Sequence, residues 1–293
     1  MWGVRGRRCG RGSRRAIPLR GLTGDGDDHR VAPGEEYLLD NRQAQAGQRF
    51  DALAELFNPS TFRHLEALGL GSGWRVWEVG AGGSSVPSWL AGQVGPDGRV
   101  LATDIDTAWL ESAPGYEVRR HDVGVDPPPE GPFDLVHARL LLVHVPHRDR
   151  ALAAMASALG AGGWLVVEEA DPALQPLVCP DETGPAQQLA NRLKDGFRQL
   201  LAQRGVDLGY GRTLPRRLRA EGLVDVMADA YFPMTGSAGN ELERATVEQI
   251  RDRLVGGGIA TGREIDEHLA NVRAGKLDLA TSPMITAWGR RPR

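Results

Sequence analysis

Cysteine is nearly absent from this chain: Cys9 and Cys179 are the two present in 293 residues. Two thiols build neither a disulfide framework nor a cysteine zinc site, so a reducing, cytoplasmic setting is expected. Long apolar runs are missing as well. None approaches the roughly 18 to 20 residues that cross a bilayer, which predicts a soluble protein with no membrane association. No internal repeat is visible, and lysine is confined to Lys194 and Lys276, the other 33 of 35 basic residues being arginine. That bias reads as GC-rich coding and carries no function. The length suffices for a full core, in one large domain with elaborations or one domain with a cap.

Acidic residues are scarce only at the start. Residues 1–33 hold eight arginines among glycines against Asp25, Asp27 and Asp28, without apolar periodicity. They lack the apolar stretch of a secretory signal and the amphipathic helix of a transit peptide. A disordered extension is expected, with a nucleic-acid tail as the alternative. The rest of the chain has 27 basic and 35 acidic residues, a net charge of −8. An acidic body argues against binding a phosphate backbone, so no nucleic-acid partner is expected.

What the chain does have is an abrupt change of pattern in RVWEVGAGGSSVPSWLAG, Arg75 to Gly92. Arg75 to Val79 reads as a buried strand. Gly80, Gly82 and Gly83 permit a tight turn in which backbone approaches a ligand closely, and Ser84 to Leu90 resumes helical spacing through Val86, Trp89 and Leu90. Strand, glycine turn and helix in that order direct the free N–H groups of a helix start at a ligand, as Rossmann-like folds do at the carboxyl ends of their strands. A dinucleotide fingerprint, G-x-G-x-x-G/A, would need Gly or Ala where Ser85 stands. The fingerprint E-x-G-x-G is met by Glu78, Gly80 and Gly82. A tight connection without any ligand is the plain alternative.

With this acid and these glycines the chain resembles the class I S-adenosylmethionine (SAM) dependent methyltransferases, Ser84 replacing the usual third glycine. The resemblance covers Glu35 to Asp171 well and the last strand loosely. It implies an α/β fold: a doubly wound, Rossmann-like seven-stranded sheet, mostly parallel with an antiparallel last strand, plus helical cap elements. It also implies SAM as cofactor, bound by Glu78, Gly80, Ala81, Gly82, Asp104, Ile105, Asp122, Val123 and Arg139. Tyr37 and Arg49, in helices ahead of the first strand, would touch its methionine end. Core packing for Tyr37 and a solvated face for Arg49 are the alternatives.

The remaining segments fit such a sheet. Glu35 to Leu70 has helical spacing, and Asn58-Pro59-Ser60 is expected to break it into two helices. Arg99 to Thr103 is a second strand. Asp104 follows it, 22 residues after Gly82. Only an acceptor-only carboxylate takes both ribose hydroxyls at once, and Ile105 would back the adenine. A helix cap is the alternative for Asp104, a role assigned rather to Asp106. Tyr116 to Arg120 is a third strand, and Asp122 matches the family's acceptor for the adenine amino group, or is a turn aspartate. The rigid loop Pro127 to Pro132 leads to a fourth strand, Phe133 to Arg139, with the family's F-D-L-V entry. A helix from Arg148 to Leu159, a turn at Ala161-Gly162-Gly163 and a fifth strand, Trp164 to Glu169, complete the resemblance.

Beyond Asp171 the pattern gives helices at Ala186 to Gln203 and Leu214 to Ala220, then a half-buried strand from Val224 to Pro233. Two more helices, near Leu242 to Leu254 and Arg263 to Ala274, precede a last strand at Met284 to Gly289. Gly236 to Lys276 therefore reads as an insertion capping the substrate pocket, or equally as edge packing or a homodimer contact. The organisation expected is an extension at 1–33, helices covering the cofactor at 34–70, a SAM-binding core at 71–171, and substrate-cap insertions with the last two strands at 172–293.

Methyl transfer from SAM is an in-line displacement that needs alignment in a dry pocket, and a base is optional. His137, His144, His147, Glu168, Glu169 and Asp171 fall near the ends of strands four and five. His144 is the expected catalytic base, since it lies in an apolar turn and imidazole titrates near neutrality. A structural histidine holding that loop is the alternative. Glu168, Glu169 and Asp171 could bind Mg²⁺, but solvated or capping acids are the commoner case, and no metal is expected. The expected function is methylation of an oxygen or carbon nucleophile on a small molecule, a secondary metabolite or quinone-like aromatic. An NAD- or nucleotide-sugar-dependent oxidoreductase, disfavoured by Glu78 and Ser85, and a non-catalytic SAM-binding protein are the alternatives. A chain beginning at Pro33 is expected to melt and to bind SAM as the full chain does. Thermal denaturation and calorimetry test this, and a loss in either would contradict a dispensable extension.

Overall fold

Strands β1 (Arg75–Val79), β2 (Arg99–Asp104), β3 (Tyr116–Arg120), β4 (Phe133–Arg139), β5 (Leu159–Ala170), β6 (Val224–Tyr231) and β7 (Met284–Arg290) form one sheet in the order β3-β2-β1-β4-β5-β7-β6. The computed structural model describes residues 38–39, 45–110 and 115–293. Strands β1 to β5 pair in parallel, and β7 runs antiparallel to both β5 and β6. The doubly wound sheet with an antiparallel last strand is therefore present. Its order reverses between β1 and β4, which opens a crevice at the carboxyl ends of those strands.

The central strands are apolar on both faces because helices cover both faces. On one, Val76, Val100, Ala102, Leu135 and Val166 meet Leu65 of α1 (Gln45–Ala67) and Val86, Leu90 and Val94 of α2 (Ser85–Val94). On the other, Trp77, Val79, Leu101, Val136 and Val167 meet Leu152 and Met155, and Leu214 and Leu218. These last four belong to α3 (Arg148–Ser157) and α5 (Leu214–Ala220). A side chain of this size stabilises the fold by roughly 1.5 to 3 kcal/mol when fully buried.

A further helical layer has its own core. Leu189, Leu193 and Leu200 of α4 (Pro185–Gln203) pack with Val247 of α6 (Ser237–Gln249), Leu254 of α7 (Arg251–Gly256), and Ile265 and Leu269 of α8 (Gly262–Arg273). Helix α8 starts with a capping box, in which Glu264 N–H donates to Thr261 Oγ1 at 3.2 Å and Thr261 N–H donates to Glu264 Oε2 at 2.8 Å. The inserted helices leave and rejoin the chain at one place: Thr235 N–H donates to Leu279 O at 2.7 Å and Thr281 N–H to Pro233 O at 3.1 Å. Among the described residues no helix is long and apolar enough to cross a membrane.

Four local expectations are corrected. Helix α1 runs unbroken through Pro59. An interior proline costs about 3 kcal/mol, but Phe57, Thr61 and Leu65 are buried beside it, and Arg139 donates to both Asn58 and Thr61. Strand β5 begins at Leu159, so Ala161-Gly162-Gly163 lies inside an irregular strand start, where the pairing with β4 shifts register between Phe133 and Leu135. Strand β6 is mostly exposed, Met227 at 61%, because as the edge strand it pairs only with β7. The helix expected over Leu242 to Leu254 is divided at the buried Ile250. Tyr37 and residues 1–33 lie outside the described residues.

The junction of β4 and β5 leaves no room for a side chain at Gly163. A Cβ there would stand 2.8 Å from Phe133 O, 3.1 Å from Gly160 O and 3.2 Å from Asp134 O. Backbone on three sides cannot yield easily, so Gly163→Ala is expected to destabilise the protein by about 1 to 3 kcal/mol. Thermal melting would register this, and an unchanged midpoint would contradict the tight junction.

Candidate active site at the carboxyl ends of the parallel strands

Between β1 and α2 the chain turns through Gly80 and Gly82, with φ of +64° and +63°, in the left-handed region that favours glycine. The amides of the turn itself, ahead of the helix start, are used within the fold. Ala81 N–H donates to Thr103 O at 3.0 Å, Gly83 N–H to Ala81 O at 2.6 Å, and Gly82 N–H to Asp104 Oδ2 at 2.9 Å. An enclosed turn must satisfy its amides, and β2 supplies two of the three acceptors. Asp104 Oδ1 takes a second backbone bond, from Asp106 N–H at 3.0 Å. Burial raises the Asp104 pKa, the Asp106 and Gly82 N–H groups oppose it, and the charge of Asp106 adds to the rise. The Ile105 N–H also acts on this carboxylate to lower its pKa, so much of its accepting capacity is used within the fold. The described residues 105–110 after β2 form no helix, and Asp106 instead caps a turn, its Oδ1 accepting from Ala108 N–H at 3.1 Å.

Side chains from elsewhere close on these glycines. A Cβ at Gly80 would meet Leu141 Cδ1 at 2.6 Å, and one at Gly82 would meet Phe50 Cε1 at 3.0 Å. Phe50 packs edge-on against Trp109 with ring centroids 6.3 Å apart. The N-terminal half of α1 thus lies across both the glycine turn and the loop after β2. Phe50, Trp109 and Leu141 were not singled out from the sequence. Only the helical spacing of Phe50 hinted at a buried face, and nothing local revealed what it covers.

Beneath the turn lies a buried chain of charge. His137 Nδ1 stands 2.6 Å from Glu78 Oε2 and its Nε2 3.4 Å from Glu168 Oε2, and none of the three side chains exceeds 3% exposure. Thr61 of α1 donates to Glu168 Oε2 at 2.5 Å and Thr286 of β7 donates to Oε1 at 2.7 Å. Arg139 Nη1 donates to Thr61 Oγ1 and to Asn58 Oδ1, each at 3.0 Å. Burial alone would lower the His137 pKa, but the two carboxylates outweigh it and hold the imidazole at about 9. Burial would raise Glu168, yet His137, Arg139 and the Thr61 hydroxyl hold it down at about 2. Burial lowers the Arg139 pKa, opposed by Glu168 and Glu78. His137, weighed from the sequence as a base, is therefore a protonated partner of two acids. The parts of Thr61 and Thr286 were not legible there.

The other predicted residues are dispersed along the same strand ends. Ile105 is 63% exposed, and its carbonyl accepts from Arg120 Nε at 3.1 Å. Asp122 Oδ1 accepts from Gly124 N–H at 2.9 Å, while Val123 packs its side chain in the core and leaves only backbone to face a ligand. Arg49 is not on a solvated face: it is 4% exposed, with its guanidinium 5.2 Å from the Phe50 ring centroid. His144 closes a single 3₁₀ turn, Leu142–His144, and burial, with the charge of Arg49 nearby, pushes its pKa down to about 4.

Glu168, Glu169 and Asp171 do not converge. Glu168 is held as above, while Asp171 pairs with Arg212, Oδ1 to Nη2 at 2.5 Å. Glu169 Oε1 accepts from Leu141 N–H at 3.0 Å and Leu142 N–H at 2.5 Å, and burial raises its pKa to about 8 against those bonds. Among the described residues no group of three or more His, Cys, Asp or Glu could hold a metal ion.

The family model described as a methyltransferase domain matches residues 39–227, a span that holds the glycine turn, Asp104 and the Glu78–His137–Glu168 chain. The chain belongs to the methyltransferase-domain family. It is of the class I, SAM-dependent kind, and SAM is the cofactor of that family. Methyltransferase str2 of Strobilurus tenacellus is 29% identical over 59% of this chain and 61% of its own length. The ubiquinone/menaquinone biosynthesis C-methyltransferase UbiE of Ralstonia pickettii is 32% identical over 36% of this chain and 46% of its own length. The matches thus span about three-fifths or less of these relatives. In fold, the chain is similar to phosphoethanolamine N-methyltransferase 2 of Haemonchus contortus, solved in complex with SAM. The TM-score is 0.54 at 16% identity, over 89% of this chain and 61% of that one.

The charge chain makes stability depend on pH. Because the folded pKa of His137 lies above its ordinary 6.5, its contribution is full below pH 6.5 and is lost as pH rises through about 9. Glu168 contributes above its ordinary 4.5, and that part is lost as pH falls towards about 2. Thermal melts are expected to decline on both flanks. His137→Gln should melt lower, since breaking a buried pair costs about 3 to 5 kcal/mol, and should lose the decline above pH 8, where Glu169 has already ionised. A parent melting curve flat from pH 6.5 to 9.5 would contradict this.

Proposed function

We propose that this chain moves the methyl group of SAM to an oxygen or carbon nucleophile of a small molecule, a secondary metabolite or quinone-like aromatic. The observation that carries the reading is Asp104. Its carboxylate fastens Gly82 N–H to Asp106 N–H at the mouth of the crevice, where an acceptor-only group suits a ribose hydroxyl. Asp122 is assigned the adenine amino group, Val123 a backbone contact and Ile105 the apolar backing. Glu78, Gly80, Ala81 and Gly82 form the floor, with Arg139 and Tyr37 assigned to the cofactor as well. The acidic body supports a small-molecule acceptor without nucleic acid. A cytoplasmic setting, a dispensable 1–33 extension, a cap role for residues 172–293 and a homodimer contact on those helices belong to the same reading.

SAM supplies a methyl group on a positively charged sulfur, an electrophile that needs alignment and exclusion of water more than acid or base assistance. Phe50, Leu141 and Trp109 are the side chains that exclude water over the glycine turn. His144 stays neutral across the physiological range, and a neutral imidazole carries one accepting nitrogen, the kind of group that can hold the proton of an acceptor hydroxyl. With so low a pKa it is a weak base, which suits an acidic phenol or activated carbon more than an aliphatic alcohol. Similarity to UbiE, a C-methyltransferase of ubiquinone/menaquinone biosynthesis, supports that choice of acceptor class.

Asp104→Asn tests the reading. The substitution removes the charge and turns one acceptor oxygen into a donor. Charged hydrogen bonds contribute roughly 1.5 to 3 kcal/mol, so SAM affinity by calorimetry should fall on the order of tenfold to a hundredfold. Melting should fall too, because Gly82 or Asp106 N–H would then face an amide donor. Unchanged SAM affinity would remove the ribose role, and binding of NAD in place of SAM would replace the reading with an oxidoreductase.

A further inference from the structure

We infer that Glu169 is a positioning residue for the cofactor site, acting through the turn that leaves β4. This rests on the reading that SAM binds at the glycine turn. Leu140 stands at φ +54°, in the left-handed region that a branched residue rarely adopts, so its conformation needs support from outside the turn. Glu169 provides that support. Its Oε1 accepts from the next two amides, Leu141 N–H at 3.0 Å and Leu142 N–H at 2.5 Å, while Leu140 N–H donates to Glu168 O at 2.8 Å. Three successive N–H groups are thereby anchored on two consecutive residues of β5.

Two consequences reach the site. The Leu141 side chain is delivered against Gly80, with Cδ1 only 2.6 Å from the place of a Cβ there. Leu141 O also accepts from His144 N–H at 3.0 Å, so the same anchor sets the 3₁₀ turn that carries His144. The carboxyl is otherwise ill placed. Glu169 is fully buried on the apolar face of β5, and among the described residues its Oε2 has no hydrogen-bond partner, nor has the hydroxyl of buried Tyr210 or Arg148 Nη1. Arg148 and Arg217 sit above the Tyr210 ring, 5.6 and 4.5 Å from its centroid. Leaving such atoms unpaired costs free energy, and what offsets it at Glu169 is the pair of amides on Oε1. Its oxygen touches neither glycine, and its effect passes through Leu141 and Leu142.

The test compares Glu169→Leu, which keeps the volume without an acceptor, with Glu169→Gln, which keeps an acceptor oxygen and replaces the carboxyl hydroxyl with an amide. In full-length protein, hydrogen exchange at the Leu141 and Leu142 amides reads the turn directly, and calorimetry reads SAM affinity. Glu169→Leu is expected to speed exchange at both amides and weaken SAM binding by tenfold or more, with Glu169→Gln within a few-fold of the parent in both. Unchanged exchange in Glu169→Leu would overturn the inference. Faster exchange with unchanged SAM affinity would also overturn it, by reducing Glu169 to a structural residue. A parent that fails to bind SAM while exchange responds as expected would instead refute the cofactor reading, and with it the link from turn to site. Should Glu169→Leu not fold, Glu169→Asp withdraws the oxygen by one methylene, and the same pair of readouts decides.

Discussion

An imidazolium held between two carboxylates, out of reach of solvent, fixes the geometry on which the rest of this site depends. Glu78 comes from β1, His137 from β4, Glu168 from β5 and the Thr286 hydroxyl from β7, so one chain of polar contacts crosses the centre of the sheet. The parallel register makes this possible by setting His137 directly beside Glu78 and Arg139 beside Glu168. Burying such charges is expensive, and an apolar core of the same shape would often be as stable. What apolar packing would not supply is the link to α1. Thr61 reaches Glu168 and Arg139 together, and Arg139 also holds Asn58. The helix over the glycine turn is therefore held in register with the strands beneath it.

The two halves of α1 are secured by different forces. Its second half has the charge chain, the buried Leu65, and His64 with Nε2 2.9 Å from Asp229 of β6. Its first half has Phe50 against Gly82 and Trp109, the buried Ala52, and Arg244 of α6 donating to Gln48 Oε1 at 2.9 Å. Aromatic edge contacts exchange partners more readily than a buried ion chain, because no charge is left uncompensated when they part.

Much of the fold was legible because burial imposes simple patterns. Strands β1 and β4, covered on both faces, read as apolar runs, and the glycines after β1 marked the turn. Helix α1 was misread at Pro59 since local propensity cannot register that Arg139, 80 positions away, stabilises both sides of the proline. Exposure of β6 was hidden for a like reason: alternation reports the pleat, whereas edge position depends on where β7 inserts. In the site, Glu78 and Asp104 were found by spacing from the glycines. The partnership of Glu78 with His137 spans 59 residues and follows from strand register, which no local motif encodes.

Glu168 and Glu169 show how far environment, not residue type, assigns a role. Adjacent on a strand, they face opposite sides of the sheet. Glu168 meets an imidazolium, two hydroxyls and the field of Arg139, and it remains charged with a pKa near 2. Glu169 meets apolar side chains and a few backbone amide donors, too little to offset burial, and its pKa rises to about 8. One is thus ionised and the other protonated at neutral pH, although the sequence writes them identically. Each also holds a different wall of the crevice, Glu168 the covering helix and Glu169 the turn after β4. The walls meet at the glycines, where Phe50 arrives from one and Leu141 from the other. A shift in either wall changes the space left for a ligand, so the width of the crevice is set by two carboxyl groups that need never touch what binds there.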